Sequence, residues 1–81
     1  MKVDYSERAG KSLQNLPPGV RKEAFRQMRF LEQNLGHPSL RAKKYDESIG
    51  LWQARVNLGW RFYFTIERRE YRLHEIKPHP K

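Results

Sequence analysis

From Trp60 to Glu67 the chain reads WRFYFTIE, and every second side chain changes character. A strand is the regular element that sends successive side chains to opposite sides. Trp60, Phe62, Phe64 and Ile66 therefore share one face, and Arg61, Tyr63, Thr65 and Glu67 the other. Such a strand needs an apolar layer behind it and leaves its second face to a different task. Leu51–Val56 repeats the pattern, with Trp52, Ala54 and Val56 against Leu51, Gln53 and Arg55. The intervening Asn57–Gly59 predicts a hairpin loop, with Gly59 free to adopt a positive φ. A turn at Arg68–Glu70 and a third strand at Tyr71–Lys77 come next. The phase of that third strand is ambiguous: Tyr71, Leu73 and Glu75 lie on one side and Arg72, His74 and Ile76 on the other. Leu73 is the more core-like, which directs Arg72 and His74 to the polar face. Proline lacks a ladder donor, so the tail Pro78–Lys81 is expected to end the sheet.

The apolar cover comes from the first half of the chain. Lys2–Tyr5 alternates as a short strand. Ser6 reads as an N-cap, Glu7 suits the first turn, and Ala9, Leu13 and Leu16 recur at helical spacing to about Leu16. Pro17 and Pro18 break that helix and start another. Val20, Ala24, Met28, Leu31 and Leu35, widened by Phe25, form its stripe from Pro18 to Leu35, with Gly36 as the stop and Pro38 beyond it. His37, beside that stop, reads as structural. The segment from His37 to Ser48 has no clean period and reads as a loop. The order β-α-α-β-β-β predicts one α+β domain over residues 1–81, a two-layer fold with an N-terminal helical hairpin packed on a small antiparallel sheet.

Charge points to the task of the second face. Seventeen Lys and Arg against nine Asp and Glu leave a net charge of +8. Such a field attracts polyanions, nucleic acid foremost. Ten aromatic side chains, two Trp, four Tyr and four Phe, supply a core that a disordered polycation lacks. With the helices covering the aromatic face, Gln53, Arg55, Arg61 and Tyr63 are left on an exposed sheet face, suited to phosphate binding and base stacking. Lys43, Lys44 and Lys77 extend the basic surface. There is no cysteine, no nucleotide-binding glycine loop, and only three widely spaced histidines, so no cofactor and no metal are expected. No apolar run is long enough for a membrane span, and the N-terminus lacks the apolar stretch of a signal peptide. A cytoplasmic protein is the expectation.

The element order, with LPPGVRKEAFRQMRFL, GLWQARV, GWRFYF and the closing HEIKPHPK, resembles the RelE/ParE superfamily of type II toxin–antitoxin toxins over nearly the whole chain. In the RelE branch the resemblance implies a metal-independent endoribonuclease that cuts messenger RNA on the ribosome and is held by a cognate antitoxin protein. The family's basic strand positions fall on Gln53 and Arg55, its sheet arginine on Arg61, and its arginine or histidine after the last strand near His79. Arg61, His79 and Arg55 are thereby the implied catalytic residues. Gln53, Tyr63, Lys77, Arg72, His74, Lys43 and Lys44 are the expected RNA contacts. Gln53 stands where members carry a lysine, and a C-terminal tyrosine of some members has no counterpart. Two other functions share the pattern: a ParE-like topoisomerase poison, and a basic binding module without catalysis.

Overall fold

The structure, a computed structural model, describes residues 1–80. Lys81, the end of the predicted tail, lies outside the described residues. The elements run β1 (Lys2–Tyr5), α1 (Glu7–Asn15), α2 (Pro18–Gln33), β2 (Lys43–Asp46), a 3-10 turn (Glu47–Ile49), β3 (Leu51–Arg55), β4 (Trp60–Glu67) and β5 (Glu70–Pro78). The sheet order is β1-β5-β4-β3-β2. Its four C-terminal strands are antiparallel, while β1 pairs in parallel with β5. The sheet is thus mixed rather than purely antiparallel: after the helical hairpin the chain enters at the far edge and returns to β1 only with its last strand.

Local chemistry explains the helices. The Ser6 side chain accepts from the Ala9 N–H at 3.1 Å and caps α1. Its backbone N–H donates to the Leu73 carbonyl at 3.0 Å, fastening that cap to β5. At the Pro17–Pro18 corner, Arg21 of α2 donates to the carbonyls of Leu13, Gln14 and Leu16, at 3.1, 3.2 and 3.1 Å. One guanidinium so satisfies the last turn of α1 and fixes the hairpin angle. Helix α2 stops at Gln33, short of Leu35, and Gly36 takes no left-handed conformation. The stop is Asn34, which turns extended and accepts from the Gly36 N–H on its own side chain at 2.9 Å.

The core lies between the hairpin and one sheet face. Ala9, Leu13, Leu16, Ala24, Met28 and Leu31 meet Ala54, Val56, Phe62, Phe64, Leu73 and Ile76 there. Phe64 is fully buried, with Trp52 stacked at 6.2 Å, Phe62 at 5.7 Å and Tyr71 edge-on at 5.6 Å. Burial of a phenylalanine contributes about 2–3 kcal/mol, so this aromatic cluster is a principal anchor of β3, β4 and β5 to one another. Trp52 and Trp60 pack at the margin of the core, whereas Phe25 on α2 and Ile66 near the end of β4 remain exposed.

Irregularities account for the departures from expectation. One step on β4, Tyr63 to Phe64, spans two on β5, Glu75 to Leu73, so His74 is a bulge residue. The bulge shifts the phase of β5, so Leu73 and Ile76 both face the core. Residues Lys43–Asp46, expected as loop, form an edge strand with a second bulge at Tyr45; all four are exposed, so no alternation marks them. Gly59 keeps φ out of the left-handed range; the Asn57 side chain accepts from its N–H at 2.9 Å and closes the loop instead. Pro78 ends β5 opposite Trp60, needing no ladder donor there.

The β4–β5 hairpin turns on Arg68 and Arg69, both left-handed with φ of 49° and 65°. Two positive φ values in a two-residue loop are the demand that Asn-Gly meets at least cost. Replacing Arg68 by Asn and Arg69 by Gly is expected to stabilise the fold by about 1 kcal/mol, a rise of about 5 °C in Tm, read by thermal denaturation.

Candidate nucleic-acid interface

The sheet face away from the helices is organised in cross-strand rows. Lys43 pairs with Gln53, Gln53 with Tyr63 and Tyr63 with Glu75. In the next row Arg55 pairs with Arg61, and Arg61 with Lys77. Arg41, Lys43, Gln53, Arg55, Arg61 and His79 line one cleft of about 320 Å³. No carboxylate lines it. A larger groove of about 780 Å³ opens between α1 and Trp60 and Ile76 of β4 and β5, but its lining includes the Glu7 carboxylate beside Arg8 and Lys11, and Arg8 is already paired with Glu75 at 3.2 Å. Convergent charge, not size, singles out the smaller cleft.

Each cleft residue is positioned by identifiable contacts. Arg61 is 6% exposed, not on an open face, because its Nη1 donates to the hairpin carbonyls of Asn57, Trp60 and Leu58 at 2.7, 2.9 and 3.2 Å. That anchors one end of the guanidinium. Nη2 and Nε have no protein acceptor among the described residues. Burial, then the facing Arg55, holds its pKa below the ordinary arginine value; an arginine stays charged regardless. Gln53 is also buried, and its Oε1 accepts from the Tyr63 hydroxyl at 3.2 Å, leaving its N–H₂ group for a ligand. His79 is carried into the cleft by its backbone N–H, which donates to the Gly59 carbonyl at 2.8 Å.

Tyr63 is only 3% exposed. The Tyr45 ring meets it edge-on at 5.0 Å and the Lys77 ammonium lies 4.9 Å from its ring centroid. Burial, with Tyr45 and Glu75 adding to it, raises its pKa, so the phenol stays a donor. Its face is closed to a stacking base. Tyr45, which residue patterns did not single out, is the exposed ring at this face, brought there by the β2 bulge.

Besides Tyr63, four expected contacts do not line the cleft: Lys44, Arg72, His74 and Lys77. Lys44 pairs with Trp52 on the helix side, its Nζ 5.9 Å from the indole centroid, because neighbouring strand residues point oppositely. Arg72 pairs with Thr65, four residues and about 13 Å along β4 from Arg61, where it forms an ion pair with Asp4 at 2.8 Å. The bulge puts His74 on Thr65, Nε2 to Oγ1 at 2.8 Å. Lys77 shares a row with Arg61 but sits over Tyr63 and 3.8 Å from Glu75. Arg41 is a cleft residue that sequence patterns do not reveal. It is left-handed, φ 45°, at the end of an aperiodic loop, and nothing in the local pattern marks it.

The cleft gathers three arginines, a lysine, an amide and an imidazole, with no carboxylate. Like charges directly opposite on paired strands repel, and Arg55 with Arg61 is such a pair. An anion between them converts that repulsion into attraction, and a guanidinium can hold two phosphate oxygens at once. Among the described residues no cluster of His, Cys, Asp and Glu could hold a metal ion, and no helix is long and apolar enough to cross a membrane.

No family model matches the chain, and no curated protein matches it by sequence. Solved structures do share its fold. The YoeB/ParE toxin from Agrobacterium tumefaciens superposes with a TM-score of 0.81 at 12% identity, over 99% of this chain and 100% of the other. RelE in the archaeal RelE–RelB complex from Pyrococcus horikoshii gives 0.77 at 18%, over 95% and 92%. The heterotetrameric YoeB–YefM toxin–antitoxin complex from Staphylococcus aureus gives 0.76 at 15%, over 99% and 98%. At these identities the likeness is one of fold.

Proposed function

We propose that this chain is a toxin of a type II toxin–antitoxin system, of the RelE/ParE superfamily, that cuts messenger RNA on the ribosome in the cytoplasm. The observation that carries the reading is the cleft: Arg55 and Arg61 face each other across paired strands beside an imidazole, with no carboxylate among them. The shared fold with YoeB and RelE supports the same reading.

RNA supplies its own nucleophile, so the reaction asks for no metal. The 2′-hydroxyl oxygen attacks the adjacent phosphorus and the bond from phosphorus to the 5′ oxygen breaks. The products are a 2′,3′-cyclic phosphate and a 5′-hydroxyl. Arg55 and Arg61 hold the non-bridging oxygens and neutralise their growing charge. Gln53, with Lys43 beside it in the same row, adds donors along the strand of RNA. His79, protonated, gives its proton to the departing 5′ oxygen, while the 2′ proton passes to water. A small acidic antitoxin, covering the basic face, is the partner that would keep the cleft from RNA.

The test is induction of the chain in cells with mapping of message ends. Growth arrest with fragments ending in 2′,3′-cyclic phosphate is expected, and a 2′-deoxy nucleotide at the scissile position blocks cleavage in vitro. Arrest with intact message and stalled replication would establish the topoisomerase-poison alternative instead. Salt-sensitive RNA binding without cleavage would leave a binding module.

A further inference from the structure

Helix α2 buries a residue that its apolar stripe does not call for. Gln27 sits among Ala24, Met28 and Leu31 at 2% exposure. A buried amide is tolerated only when its polar atoms are bonded, and these are. Its Nε2 donates to the carbonyls of Ser39 at 3.1 Å and Arg55 at 3.0 Å. Its Oε1 accepts from the Ser39 hydroxyl at 2.9 Å. Arg55 in turn donates its backbone N–H to the Leu40 carbonyl at 2.8 Å. Both backbone groups of Arg55 are therefore tied, directly or through Gln27, to Ser39–Leu40.

Immediately beyond this tie the chain enters the cleft. Arg41 is the next residue, held left-handed, and Lys43 lies two beyond it. Among the described residues no carboxylate forms an ion pair with Arg41, Lys43 or Arg55. Mutually repelling cations without counter-ions keep a fixed spacing only if their backbones are fixed. A leucine or methionine would fill the same core space, so packing alone does not account for the amide.

We propose that Gln27 is a positioning residue for the cleft: acting from the opposite side of the sheet, it sets the spacing of Arg41 and Arg55 without touching RNA. The proposal rests on the RNA-cleaving reading of that cleft. Gln27→Met keeps the volume and removes every hydrogen bond; Ser39→Ala removes one. Both are assayed where thermal melts show them folded. Single-turnover cleavage by Gln27→Met is expected to fall about 10- to 100-fold, the scale of a misplaced clamp, with a smaller loss for Ser39→Ala. In an Arg41→Ala background the Gln27 effect should largely vanish, since coupled residues are not additive. Amide hydrogen exchange at Arg55 should quicken while that of Phe64 does not.

Cleavage by Gln27→Met at the parent rate would overturn the proposal, as would an equal loss with and without Arg41. If the parent itself does not cleave RNA, the function reading fails separately. Exchange at Arg55 then still decides: unchanged protection in Gln27→Met overturns the positioning role, and quickened exchange supports it.

Discussion

Arg61→Ala is expected to lower RNA cleavage by about 10²- to 10³-fold, the cost of removing one preorganised donor from a developing negative charge. The same substitution is expected to destabilise the fold by about 2 kcal/mol, because the carbonyls of Asn57, Leu58 and Trp60 lose their shared donor. The two effects come from opposite ends of one guanidinium. Nη1 is spent on the β3–β4 hairpin, and on the proposed reading Nη2 and Nε are the donors left for a phosphate. Arg61→Lys separates them. It keeps the positive charge, yet a single ammonium does not match the planar fork that reaches carbonyls and phosphate together. Arg61→Lys should recover part of the RNA affinity, which depends on charge, and little of the cleavage rate, which depends on geometry. Thermal melts come first, and cleavage is then measured on folded protein. A folded Arg61→Ala variant as active as the parent would remove Arg61 from the mechanism.

Period and register make this site legible in the sequence. WRFYFTIE separates its two faces because nothing interrupts β4, and the short Asn57–Gly59 loop brings Arg55 opposite Arg61. The third strand defeats the same reasoning, since the bulge at His74 reverses the phase halfway along. Strand β2 is illegible for another reason. An edge strand exposed on both sides needs no alternation, so Lys43–Asp46 reads as loop. Its consequences propagate: without β2 there is no Tyr45 over Tyr63, and no route to the burial of Tyr63 and Gln53 on a face that looks open. The parallel pairing of β1 is likewise set by tertiary closure, not by the four residues of the strand. Arg41 carries no local signal, but Gln27 does. A glutamine three residues after Ala24 and four before Leu31 interrupts an apolar stripe, and a polar residue there must find partners inside.

His79→Ala is expected to reduce cleavage by about 10²- to 10⁴-fold and to leave the fold intact, because His79 is exposed and its hydrogen bond to Gly59 runs through the backbone. Loss of rate alone would not distinguish a proton donor from a phosphate contact. The leaving group does. When the 5′ bridging oxygen of the scissile phosphate is replaced by sulfur, the departing thiolate needs no proton. A general acid thereby becomes dispensable, whereas a contact to the non-bridging oxygens is needed as before. His79→Ala should therefore cleave the sulfur-bridged RNA at close to the parent rate, while Arg61→Ala stays impaired on both substrates. An equal deficit of His79→Ala on the two RNAs would assign the imidazole to binding. The prolines on either side and the Gly59 carbonyl would then serve to hold a cation rather than a proton donor. The contrast between the two variants tests the division of labour directly, because Arg61 and His79 are held by neighbouring carbonyls of one hairpin and differ in what each can give the phosphate.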